Sequence, residues 1–299
     1  MDTSVNGILN IDKPQGWTSH DVVAWIRRVL RIKRVGHAGT LDPLATGVLL
    51  VCVGQATRVS EYLMASDKMY RAKIQLGTTT DTYDLDGEIV ATHPVPQELD
   101  QAGLETILAG FTGDIMQAPP AYSAIKQDGV ALHRRVRRGE EVKPNARPVR
   151  IHSIELIEWA SPHLTVDVTC DPGTYIRSLA HDLGQQLGCG GTLAGLRRIR
   201  SGRFHVEDAA SPEGVAEAYR AGELSRYLHP IRVGLSQLTP VPVGHDEIKK
   251  LRDGQPIPSG APSTGQRGYA LTTNGIVIAI LRLDSEERRW WPEKVFAGE

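Results

Sequence analysis

The 299-residue chain contains only three cysteines, Cys52, Cys170 and Cys189. Three is odd, none stands in a C-x-x-C pair, and no spacing suits zinc. Cys52 and Cys170 lie in apolar or alternating stretches, where a buried free thiol is expected. A reducing, cytoplasmic setting follows. No apolar run approaches the roughly 20 residues that span a bilayer, so no membrane association is expected. The opening "MDTSVNGILN" has neither a basic n-region nor an apolar h-region, and no signal peptide is expected. Repeats and low-complexity segments are absent. No excess charge exists either: 34 basic residues stand against 35 acidic ones, a formal net charge of −1. That balance argues against the strongly basic kind of nucleic-acid binder.

The distribution of charge says more than its sum. "RRVLRIKR" (27–34) carries five basic residues and no acid. "RRVRRGEEVKPNARPVR" (134–150) carries seven against two acids, and "RRIRSGR" (197–203) four and none. Acids gather elsewhere, as in "DTYDLDGE" (81–88). Any one basic run reads as solvated surface; together they can form a phosphate-contacting face.

Length favours two domains. "GILNIDK" reads as a strand running into a turn at Lys13-Pro14-Gln15-Gly16. Thr18 and Asp21 have capping-box spacing, and "DVVAWIRRVL" places Val22, Val23, Ile26, Val29 and Leu30 on one helical face. "GVLLVCVG" is a buried strand and "ATRVSEYLM" a helix. "MYRAKIQL" alternates, with Tyr70 on the side of Ala72, Ile74 and Leu76. Residues 97–110 read as helix, "VRIHSIELIEW" and "HLTVDVTC" as strands, and 175–188 as a helix closed by Gly188. "LSQLTPVPVG" reads as a connector, "HDEIKKLRDG" as a short helix, and "YALTTNGIVIAILRL" as a hairpin about Asn274-Gly275. The expected fold class is mixed α/β (α+β): a largely antiparallel sheet flanked by helices over residues 1–238, then a small all-β module over 239–299.

"GHAGTLDPLATG" (36–47) packs three glycines, a proline, two threonines and Asp42 into twelve residues. Asp-Pro is a turn pair, and its carboxylate commonly bonds only nearby backbone. Gly36, Gly39 and Gly47 would let a ligand approach the backbone. The segment is no P-loop, because the Gly-Lys-[Ser/Thr] ending is missing. Arg177 lies in the first turn of its helix, where the dipole disfavours a cation; an ionised carboxylate is the economical partner. Tyr175 and Tyr70 have an ordinary core reading. His20, His37 and Asp42 lack metal-ligand spacing, so no metal is expected.

"NIDKPQGWTSHDVV", "RVGHAGTLDPLATGVLLVCVGQATR", "KMYRAKIQLGTTTDTYDLDGEI", "APPAYSAIKQDGVALH", "RPVRIHSIEL" and "GTYIRSLAHDLGQQLGCGGTLAGLRRIRSGRF" follow one another in this chain. In that order they resemble the TruB-type tRNA pseudouridine synthases, over most of residues 7–204. "IKKLRDGQPI…PEKVF" resembles the PUA-type RNA-binding domain that follows in that family. Three places depart from the pattern, one being "VRRG" (136–139), which replaces an Ala-Arg-x-Gly pattern. His133 stands where tyrosine is usual, and Asp171-Pro172 stands where a Ser-Lys pair is usual, which puts one phosphate contact in question.

The resemblance implies a cytoplasmic, monomeric isomerase that converts a T-loop uridine of tRNA (position 55) to pseudouridine. Such a reaction breaks the N1–C1′ bond, turns the uracil and rejoins it through C5, so no cofactor is required. The resemblance makes Asp42 the nucleophile, which attacks the sugar or promotes elimination to a glycal. The residues do not choose between those routes. Tyr70 would stack on the uracil, Leu196 would wall it, and Arg177 would keep Asp42 charged through a two-pronged contact. His37 would fill the space left by the flipped nucleotide. Tyr175 and Lys13 complete the substrate side, Lys13 supporting the Asp42 loop rather than reacting. Two other readings stand beside this one. A noncatalytic RNA-binding protein would not need Asp42, Tyr70 and Arg177 together, and an N-glycosylase would release free uracil.

Overall fold

The computed structural model describes residues 5–296 except 124, 128, 137, 141, 143 and 261–265. The side chain of His133 lies outside the described residues. Ten strands build the main sheet: β1 (Gly7–Lys13), β2 (Val35–Ala38), β3 (Thr46–Val53), β4 (Lys68–Leu76), β5 (Gly113–Gln117), β6 (Arg147–Ala160), β7 (His163–Cys170), β8 (Gly191–Ser201), β9 (Phe204–His205) and β10 (Leu228–His229). Their spatial order is β10-β1-β3-β8-β4-β7-β6-β5, with β2 on β3 and β9 on β8. Every pairing is antiparallel except β3 with β8, which meet in parallel over two residue pairs, Thr46↔Arg197 and Gly47↔Arg198. The longer helices are α1 (Ser19–Leu30), α2 (Gln101–Ala109), α3 (Ile176–Gln186) and α4 (Pro212–Arg220).

The sequence pattern explains the layers. β3 is apolar throughout because both of its faces are covered. Leu49, Val51 and Val53 join α1 in one core, while Val48, Leu50 and Cys52 join Leu63 and Phe204 in another. β4 buries Ala72, Ile74 and Leu76 with Leu179 and Leu183 of α3 in a third core. The expected capping box closes α1: Asp21 N–H donates to Thr18 Oγ1 (3.1 Å) and Thr18 N–H to Asp21 Oδ2 (2.8 Å), worth about 1 kcal/mol. All three cysteines are buried and unbridged. "ATRVSEYLM" is less regular than expected, a 3₁₀ segment (Gly54–Val59) followed by a short helix (Ser60–Met64).

A second, five-stranded sheet follows: β11 (Thr239–Pro242), β12 (Ile257–Pro258), β13 (Arg267–Leu271), β14 (Val277–Asp284) and β15 (Arg289–Val295), ordered β11-β13-β14-β15-β12. The helix α5 (His245–Arg252) accompanies it. The hairpin turns at Gly275, whose φ of 78° suits glycine. "LTPVP" is not a plain connector, because β11 pairs in parallel with β13. Val59, Tyr62 and Leu235 pack in one apolar cluster with Tyr269, Val277, Ile280 and Phe296. Arg58 Nη1 donates to Val295 O (2.6 Å), and Lys294 pairs with Glu61. Deleting residues 239–299 would uncover Val59, Tyr62 and Leu235. Thermal unfolding should then shift down by at least about 2 °C, the change expected for roughly 1 kcal/mol or more.

Candidate active site

The segment 39–45 joins β2 to β3 and is gripped from three sides. Ser19, the first residue of α1, is 1% exposed; its Oγ accepts from Leu41 N–H (2.9 Å) and donates to Leu41 O (3.1 Å). Gly16 N–H donates to Pro43 O (2.9 Å). Lys13, fully buried at the end of β1, turns its Nζ onto the carbonyls of Pro14, Trp17 and Pro43. Burial lowers the Lys13 ammonium to about 8, against the opposing pull of Asp42. Lys13 therefore props the loop. Gly47 serves the protein's own packing. A Cβ on Gly47, whose φ is 95°, would lie 2.3 Å from Arg198 O, so glycine is what lets β8 come alongside β3.

Asp42 faces a cleft of about 510 Å³ that Tyr70, Tyr175, Arg177 and Leu196 also line. The cleft opens at the seam between two cores: Tyr70 and Leu196 each pack against both. β4 and β8 bring them together, with Ala72 opposite Leu196 and Tyr70 opposite Arg198. The structure thus assembles five of the seven sequence-predicted residues around one cavity. Lys13 lies beneath the loop. His37, on β2, does not line the cleft; it meets His20 edge to face at 5.4 Å. Burial lowers the His37 pKa, and so do His20 and Arg198, so the ring favours its neutral form.

Arg177 is 6% exposed, and acceptors from three segments surround its guanidinium. Nε lies 3.0 Å from Asp42 Oδ2, and Nη1 lies 3.3 Å from Asp84 Oδ2. Nη1 also donates to Thr82 O and Nη2 to Tyr122 O, both at 3.1 Å. The Nε–H is not aimed along a hydrogen bond to Asp42, so the pair is ionic and single-pronged. This corrects the two-pronged contact expected from the sequence: the planar fork is shared among four acceptors on three segments.

Asp84 and Arg198 are the residues that sequence reasoning missed. Asp84 is 5% exposed. Its Oδ1 accepts from Thr82 Oγ1 (2.6 Å) and Asp86 N–H (3.2 Å). The acidic stretch 81–88 was the signal, but spacing alone does not say which acid turns inward. Arg198 is 1% exposed and donates from Nε to Val48 O (2.6 Å) and from Nη2 to Gly39 O (3.1 Å). Arg198 stands opposite Tyr70 in the β4–β8 ladder, and its charge opposes the burial that raises the Tyr70 pKa. Arg197 pairs with Asp12 and Arg200 with Asp67, each at 2.8 Å. Three of the four basic residues in 197–203 thus have partners within the protein.

The Asp42 side chain keeps 41% of its surface open to the cleft, while protein encloses its other sides. Poor solvation raises its carboxyl above the usual range; Arg177 opposes that shift and Asp84 adds to it. If Asp42 works as a carboxylate, the acid limb of a kcat/KM profile should fall above the ordinary aspartate value. Asp84→Asn removes a like charge, so that limb should move to lower pH, as measured on the free enzyme's kcat/KM. An unmoved limb would mean that another group is being titrated.

The fold that carries this cleft is also found in solved structures of known proteins. A solved H/ACA RNP bound to a substrate RNA containing 2′-deoxyuridine superposes with a TM-score of 0.76 at 25% identity, over 98% of this chain and 85% of that one. A Cbf5-Nop10-Gar1 complex gives 0.74 at 26% identity, over 98% and 84%. Residues 27–176 match the model of the TruB family pseudouridylate synthase N-terminal domain, and 177–236 that of the tRNA pseudouridylate synthase B C-terminal domain. The tRNA pseudouridine synthase B of Opitutus terrae is 47% identical over 76% of this chain and 93% of its own length. That of Xanthomonas campestris pv. campestris is 40% identical over 98% and 95%. The chain belongs to the TruB family of pseudouridylate synthases.

Proposed function

We propose that this chain isomerises a uridine of tRNA to pseudouridine in the Asp42 cleft, and that its target is position 55 in the T-loop. The observation that carries the reading is one carboxylate, open to a cleft between Tyr70 and Leu196 and steadied by a buried arginine. The flipped uracil lies against the Tyr70 ring. Leu196 closes the other side. Asp42 acts on C1′, by attack or by promoting elimination, while Arg177 stabilises its charged form. Tyr175 sits at the rim, its backbone N–H donating to Gln117 Oε1 (2.8 Å) and its carbonyl accepting from Gln117 Nε2 (3.1 Å). The active species is a cytoplasmic monomer. Residues 1–238 form the catalytic domain, and 239–299 form a PUA-like domain that docks the T-arm.

Carbodiimide footprinting of tRNA from cells lacking the protein tests this reading: the T-loop signal should vanish and return with the wild-type gene. Release of free uracil by the purified protein would favour an N-glycosylase instead.

His37 is assigned to fill the space that the flipped nucleotide leaves. His37→Gln should keep measurable turnover. His37→Ala should lose more, through weaker binding of folded tRNA. A short RNA whose target uridine is already unstacked should rescue His37→Ala, because the flipping cost of a few kcal/mol is largely met beforehand. No rescue, with His37→Gln as inactive as Asp42→Asn, would make His37 a chemical participant.

A further inference from the structure

Residues 82, 83 and 84 all turn toward helix α3. Thr82 O and Asp84 Oδ2 both meet Nη1 of Arg177. Tyr83, between them, places its ring on the imidazole of His181, with centroids 3.9 Å apart and planes 14° from parallel. His181 follows Arg177 by four residues, so the two lie on one face of α3, a turn apart. The loop therefore touches the helix at two points one turn apart.

Tyr83 adopts a conformation that a tyrosine rarely takes. Its φ is 64°, and the other non-glycine residues with positive φ among those described are Arg31 and Arg288. Successive carbonyls and side chains of an extended chain point to opposite sides. A left-handed residue at 83 reverses the chain and lets Thr82 and Asp84 converge on one guanidinium nitrogen. The strain is held from outside: Leu193 N–H donates to Tyr83 O (3.0 Å), and Leu85 N–H to Leu193 O (3.1 Å). Tyr83 N–H also donates to Thr80 O (3.3 Å) and Thr80 Oγ1 to Asp84 O (2.7 Å), and the ring stack adds a contact to α3. Nδ1 of His181 is buried with no hydrogen-bond partner, so what its ring offers the loop is a flat face. Burial lowers the His181 pKa and raises that of Tyr83, which keeps both rings neutral.

We propose that the Tyr83–His181 stack is a positioning device for the isomerisation: it clamps the 82–84 loop onto α3 and so sets the place of the Arg177 guanidinium against Asp42. Neither ring touches substrate. The proposal rests on the reading of the Asp42 cleft as the reaction site, and its test separates the two.

Single-turnover rates at saturating tRNA, with tRNA affinity measured in parallel, decide it. Tyr83→Asn keeps a residue that tolerates the left-handed region but removes the ring. It should slow the chemical step about tenfold to a hundredfold, the scale of a misplaced catalytic group, and leave affinity within about twofold. Tyr83→Phe should restore the rate, since the hydroxyl is not used. His181→Phe should also keep it, whereas His181→Ala should match Tyr83→Asn. The double variant Tyr83→Asn/His181→Ala should be no slower than either single one, because both remove the same contact. Tyr83→Gly, freed of the strain and folded by its melting curve, should be as slow as Tyr83→Asn. Wild-type rates in Tyr83→Asn and Tyr83→Gly, or rate losses that multiply in the double variant, would overturn the proposal. Failure of the cleft reading has a different signature, namely turnover by Asp42→Asn.

Discussion

Asp42→Asn should abolish turnover, by on the order of 10⁴-fold or more, while tRNA affinity stays within a few-fold of wild type. The size is what loss of a nucleophile or its obligate partner costs elsewhere. An amide is nearly isosteric with the carboxylate but cannot attack C1′ or take up a proton. The loop should survive the change, because Ser19, Gly16 and Lys13 hold it by backbone contacts that do not involve the Asp42 side chain. Affinity should survive because phosphate contacts supply most of the binding and lie elsewhere. The check is a tritium-release or primer-extension assay beside filter binding. Substantial residual turnover would remove Asp42 from the chemistry and leave the cleft as a binding site.

Arg177→Lys should lower kcat by about 10²–10³-fold, the range for removing one preorganised electrostatic partner. The guanidinium reaches Asp42, Asp84, Thr82 O and Tyr122 O from a plane. An ammonium has three donors and no such plane, and it cannot meet four acceptors on three segments. Asp84 is 5% exposed and would be left poorly paired, so stability should fall too, by up to about 3–5 kcal/mol if the pairing is lost outright. The residual activity should show an acid limb at higher pH than wild type, because Arg177 is the chief influence lowering the Asp42 pKa. A rate and limb equal to wild type would show that charge alone suffices and that the shared fork is dispensable.

Much of this was legible in the sequence because the signals are local. Alternation places Tyr70 on the apolar side of β4, and capping spacing starts α1 at Thr18. Asn274-Gly275 marks the hairpin. A glycine-rich Asp-Pro loop and an arginine in a first helical turn each read as odd, and the ordered family motifs joined them. β11 stayed hidden because a Pro-rich segment becomes a strand only when a partner edge is offered, here β13.

Charge was the least legible feature. In the sequence, 197–203 is a basic run and 81–88 an acidic one, and neither shows which of its charges turns inward. Folding places Arg198 under the Asp42 loop at 1% exposure and turns Asp84 inward onto Arg177. A buried ion needs partners supplied by distant strands, so its fate depends on which backbone carbonyls and carboxylates arrive there. By itself the sequence determined the family, the order of elements, and the loop, strand and helix that carry Asp42, Tyr70 and Arg177. Only the tertiary structure decided how Arg177 divides its donors, that Gly47 yields to β8 rather than to a ligand, and that Tyr83 rests on His181. Those outcomes depend on contacts between segments tens to more than a hundred residues apart, which no local pattern encodes.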